Sequence, residues 1–82
     1  MRIPIIVPNV GSGDETLRLS GWFIDVGDVV LAGDLVAEVL IPGVTFDIIA
    51  ESSGRLVEIA KPVDTVTFKG DTLGWLDDAD DA

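Results

Sequence analysis

Short apolar runs and period-two alternations, punctuated by glycine, proline and aspartate, fill this chain, and no stretch repeats its apolar residues at the helical period. A β-branched run at residues 3–7 is closed by Pro8 and Asn9. Leu17, Leu19, Trp22, Ile24 and Val26 alternate with polar or small residues, which predicts a half-buried strand reaching the Gly27-Asp28 break. Gly33-Asp34 breaks the chain again. Residues 35–40 and 45–50 read as two strands separated by Ile41-Pro42-Gly43-Val44. Proline presets φ and glycine accepts positive φ, so this segment predicts a hairpin turn. Ser52-Ser53-Gly54 marks the next break, residues 55–60 the next strand and residues 61–64 a loop, with short strands at 66–68 and 73–76. Seven or eight short strands, each followed by a turn, predict an all-β sandwich or flattened barrel.

A loose internal repeat sharpens the picture. The run Gly27-Asp28-Val29-Val30-Leu31-Ala32-Gly33-Asp34 recurs as Val63-Asp64-Thr65-Val66-Thr67-Phe68-Lys69-Gly70-Asp71, with one extra residue before the second glycine. Each half is too small to bury its own apolar face, so the two must pack together into a quasi-twofold β structure. The repeated aspartates are expected to cap backbone N–H groups in turns rather than to do chemistry.

Composition then narrows the functional classes. The chain has 82 residues, room for one domain, expected over residues 1–76, with 77–82 as a flexible acidic tail. Net charge is −10, which disfavours nucleic-acid backbones and anionic membranes as partners. The tail acids Asp77, Asp78, Asp80 and Asp81 lack the ordering glycine and bidentate acid of a calcium loop, so no metal site is expected. There is no cysteine, no apolar run of membrane-spanning length and no apolar leader, which together suggest a soluble cytoplasmic chain. Histidine is absent as well, so the usual base and nucleophile are missing and no enzyme is expected. Ser52 and Ser53 have no imidazole to activate them and are read as turn residues. Trp22 lies on the alternating apolar face and is expected in partial core burial rather than as a stacking platform. Trp75 is less determined.

The series Trp22-Phe23-Ile24-Asp25-Val26-Gly27-Asp28, then Val30, Gly33-Asp34 and Glu38, resembles the first-half signature of biotinyl/lipoyl attachment domains. Pro8 precedes Trp22 at a similar spacing, and Ala50 through Gly54, followed by Leu56, Glu58 and Ile59, resembles the strand after the attachment hairpin. The resemblance implies a barrel-sandwich hybrid of two four-stranded sheets with quasi-twofold symmetry. It also implies a tight hairpin, distant from the termini, that presents a lysine for amide linkage to lipoate or biotin. Here Pro42-Gly43-Val44 stands where lipoyl domains read Asp-Lys-Ala and biotinyl domains Met-Lys-Met, and Gly43 aligns with the lysine. The chain's two lysines, Lys61 and Lys69, lie outside this hairpin.

The reading that follows is a lipoyl-like domain without a cofactor, serving as a protein-interaction or docking module, either free-standing or part of a larger acyltransferase or biotin-dependent assembly. Ile41, Pro42, Gly43 and Val44 form its expected contact surface, with Leu40 and Phe46 facing the core and Ile41 and Val44 outside. The alternative is an authentic lipoyl or biotinyl carrier domain of a 2-oxo acid dehydrogenase or biotin-dependent complex, modified at Lys61 or Lys69.

Overall fold

The computed structural model describes residues 1–9 and 16–78. Eight strands follow in chain order: β1 (Arg2–Ile6), β2 (Leu17–Trp22), β3 (Val29–Val30), β4 (Leu35–Ile41), β5 (Val44–Ile49), β6 (Gly54–Ile59), β7 (Val66–Thr67) and β8 (Thr72–Asp77). No helix occurs among the described residues. One sheet has the order β1-β8-β6-β3 and the other β5-β4-β2-β7, all neighbours antiparallel. Between them lies one core, built from Ile5, Val30, Leu56, Leu73 and Leu76 on one side and Leu17, Leu19, Val36, Val39 and Ile48 on the other. Fully burying side chains of this size contributes roughly 1.5–3 kcal/mol each.

The two sheets are copies of one plan. Exchanging β1, β8, β6 and β3 for β5, β4, β2 and β7 reproduces the strand order. Backbone bonds repeat as well: Leu19 N–H donates to Thr65 O and Leu56 N–H to Asp28 O, both at 2.9 Å. Arg18 Nη1 donates to Asp64 O and Arg55 Nη1 to Gly27 O. Three Gly-Asp turns share one geometry, because Asp28, Asp34 and Asp71 each accept through Oδ2 from the N–H three residues earlier. The expected capping role of the aspartates is what these bonds show.

The repeat needs no insertion, contrary to the sequence reading. Asp64, at φ 75°, occupies the place of Gly27, at φ 102°, and each donates its N–H to a β-strand carbonyl, of Leu19 and Leu56 respectively. Asp64 therefore matches Gly27 rather than Asp28, and the two runs align residue for residue. Aspartate is among the few side chains that tolerate positive φ, which hid the equivalence.

Two further expectations are corrected. The strand opened by Leu17 ends at Trp22, past a bulge between Leu19 and Gly21, and a last bond to β4 runs from Phe23 N–H to Val36 O. Ile24 only packs partly against the core and Val26 is 57% exposed, so the alternation beyond Trp22 continues in a loop. Asp77 is not tail: it is the last residue of β8, opposite Arg2 and Arg55, and its Oδ1 lies 3.3 Å from the N-terminal ammonium. Asp78 N–H donates to Met1 O. Asp80 and Asp81 lie outside the described residues.

Candidate functional site

The β4–β5 hairpin closes with a two-residue turn. Ile41 pairs with Val44, and Pro42 and Gly43 bridge them, with Gly43 at φ 84°. Nothing lies within 4 Å of where a Gly43 Cβ would be, so glycine is required here by conformation and not by crowding. Pro42, Gly43 and Val44 are exposed, Val44 by 46%.

The sides of the hairpin divide differently from the expectation. Ile41 and Phe46 pack against the core, and Val44 remains outside. Leu40 is half-buried but points to the other face, where it lines a shallow groove with Thr16, Leu17, Arg18, Pro42 and Val66. Period-two alternation from the buried Val39 requires this placement, since Leu40 and Val39 must face opposite ways. Leu40 therefore lies beside Pro42 on the face opposite the paired Ile41 and Val44. The groove has a volume of about 220 Å³, smaller than the roughly 300 Å³ at which small-molecule pockets begin.

The turn residues Pro42 and Gly43 offer no amine for amide linkage. Lys61 lies in the loop after β6, where its Nζ is 3.7 Å from Asp71 Oδ2 and its carbonyl accepts from Trp22 Nε1 at 2.8 Å. Lys69 is the residue before Gly70 in the turn between β7 and β8. The structure brings neither lysine to the hairpin. Trp22 is half-buried against the core, as its alternation suggested. Trp75 is half-buried opposite Pro4, with the Arg2 guanidinium 5.8 Å from its ring centre. Ser53 Oγ accepts from Ala32 N–H, consistent with a turn role.

One feature of the same sheet escaped the sequence reading. Glu38 and Asp47 stand directly opposite each other on β4 and β5, both on the outer face. Like charges so placed are mutually destabilising. Gly21, the neighbour of Glu38 on β2, has no side chain to neutralise it, and no ion pair reaches either acid among the described residues. Only the strand register reveals this pair, since nine positions separate the two residues in sequence.

Comparison with known proteins agrees with this architecture. The solution structure of the lipoyl domain of the 2-oxoglutarate dehydrogenase complex from Azotobacter vinelandii superposes with a TM-score of 0.73, covering 93% of this chain and 96% of that one at 24% identity. The lipoamide acyltransferase component of the branched-chain alpha-keto acid dehydrogenase complex from Pseudomonas putida is 29% identical over 69 residues. That alignment takes in 84% of this chain but 16% of the relative's length. The family described as biotin-requiring enzyme, which groups biotin and lipoyl attachment domains, matches residues 3–76. With the match spanning nearly the whole ordered chain, the protein belongs to the biotinyl/lipoyl attachment domain family.

Proposed function

We propose that this domain is a non-catalytic docking module that keeps the biotinyl/lipoyl fold and carries no cofactor. One observation carries the reading: the turn between β4 and β5, where the family resemblance implies an attachment lysine, holds Pro42 and Gly43 instead. Gly43 has no nucleophile to acylate. The exposed remainder of the tip is apolar, in Pro42 and Val44, with Leu40 on the groove beside it. Apolar groups gathered at a rigid turn suit contact with a protein surface. The P. putida relative is a component of a multienzyme complex, which supports placing the domain in a larger acyltransferase or biotin-dependent assembly. Attachment at Lys61 is disfavoured by its contact with Asp71, and Lys69 occupies the separate turn between β7 and β8.

A hairpin graft tests this. Gly43→Lys alone returns an amine but places it at positive φ, at a cost of about 1 kcal/mol, and lacks the acidic neighbour. The triple variant Pro42→Asp, Gly43→Lys, Val44→Ala restores the family's local sequence. Incubated with lipoate ligase, the triple variant is expected to gain lipoate, the single variant little, and the parent none. Lipoylation of the parent would overturn the reading.

A further inference from the structure

The open edge of β5 begins at the tip of the docking hairpin and has its own chemistry. Among the described residues β5 is the outermost strand of its sheet and β4 its sole strand partner, with Ile6 and Pro8 lining a groove beside Asp47 and Ile49. The two-residue turn makes Ile41 and Val44 a bonded pair, so the ladder alternation points the backbone N–H and C=O groups of Thr45 and Asp47 away from β4. Both residues are exposed. The equivalent edge strand of the other sheet, β1, is blunted where Pro4 removes a donor. No proline interrupts β5, and both ladders carry the same register shift, with the extra residue on the inner strand, Val36 of β4 and Leu73 of β8. Over its outer face lie the facing carboxylates of Glu38 and Asp47, beside Ile49 and Leu40. The Phe23 ring closes the far side, 3.7 Å from where a Cβ on Gly21 would sit.

From this arrangement we infer that β5 is a strand-addition site for an extended, cationic segment of a partner protein. Such a segment would bond through its backbone to Thr45 and Asp47 and place lysine or arginine side chains over Glu38 and Asp47. Charge decides the occupant. A second copy of this chain, paired strand to strand, would bring a second Glu38–Asp47 pair against the first on a chain of net charge −10. Strand addition supplies affinity through main-chain bonds and specificity through alternate side chains. A basic segment relieves the repulsion that a second copy would double. The inference rests on the docking reading and gives that surface its partner chemistry.

The test titrates the isotope-labelled full chain with a capped eight-residue peptide of alternating arginine and valine. A second peptide of the same sequence is N-methylated on the edge-facing amides. The expected result is slowed amide exchange at Thr45 and Asp47, with binding about tenfold weaker for the N-methylated peptide. The double variant Glu38→Gln, Asp47→Asn should weaken the first peptide about fivefold while the fold is unchanged. Equal binding of both peptides would mean that net charge alone attracts them, and would overturn the inference. So would binding that maps to the Asp28, Asp34 or Asp71 turns, or no binding at all. Failure of the docking reading itself would show separately, as lipoate or biotin on the unaltered protein.

Discussion

The pairing of β4 with β5 and that of β8 with β1 occupy equivalent places in the two sheets, yet their outer faces have opposite characters. In β8–β1 the central pair is Trp75 opposite Pro4. Arg2 covers Trp75 and bonds Glu58 at 3.0 Å, so the charges there are matched and the apolar surface is shielded. In β4–β5 the same two positions hold Glu38 and Asp47, which no ion pair reaches among the described residues. One row nearer the end, Asp77 stands between Arg2 and Arg55, whereas its counterpart Leu40 stands between Thr45 and Arg18. The difference lies in how each outer face satisfies its own charges. The end that holds the chain termini is finished as a self-contained surface, and the hairpin end carries unmatched charge and exposed apolar groups, as a surface completed by a partner would.

The comparison breaks most readily at the glycines. Gly74 in β8 corresponds to Ala37 in β4, and the reason is local: a Cβ at Gly74 would lie 2.7 Å from Glu58 O and 3.1 Å from the Trp22 ring. Ala37 is itself fully buried, and the counterpart of Trp22 in the repeat is the smaller Ile59. Gly74→Val is therefore expected to destabilise by about 3 kcal/mol in urea denaturation, the upper end for overpacking a core. Gly43→Ala, at the hairpin turn, meets nothing within 4 Å and should lose only about 1 kcal/mol, from its positive φ. Equal losses at the two positions would remove the distinction between crowding and conformation.

Charge changes sharpen the same comparison with smaller effects. Arg2→Ala removes an exposed ion pair and the contact with Trp75, and is expected to lower stability by about 0.5–1 kcal/mol. Asp47→Thr in the other sheet removes a repulsion and adds a β-branched residue, and should raise stability by about 0.5 kcal/mol. Opposite signs in thermal melts at low salt, converging at high salt, are the expected pattern. A loss on Asp47→Thr would mean that the acid has an intramolecular role.

Much of this fold was legible in the sequence because turn chemistry is local. Pro42-Gly43 marked the hairpin, and Gly27-Asp28 and Gly33-Asp34 marked breaks that the structure realises as capped turns. β3 was harder: Val29–Val30 is a two-residue strand that exists through its pairing with Arg55 and Gly54, a relation no local pattern carries. The same limit explains Val26, whose place in an alternating run says nothing about where the pairing of β2 with β4 ends. It explains Asp77 too, since a carboxylate in an acidic terminus reads as solvent-exposed until Arg2, Arg55 and the terminal ammonium are seen beside it. At the hairpin, the Pro42-Gly43 turn was readable directly, whereas the outward placement of Leu40 and the Glu38–Asp47 pair depended on strand register.

The claim that this domain carries no cofactor is tested most directly by the intact mass of the protein purified from its native host. The mass of the unmodified polypeptide is expected, with no fraction bearing lipoate or biotin even when either compound is supplied in excess. A population heavier by one lipoyl or biotinyl group, localised by peptide fragmentation to Lys61 or Lys69, would contradict the account and restore the domain to the carriers.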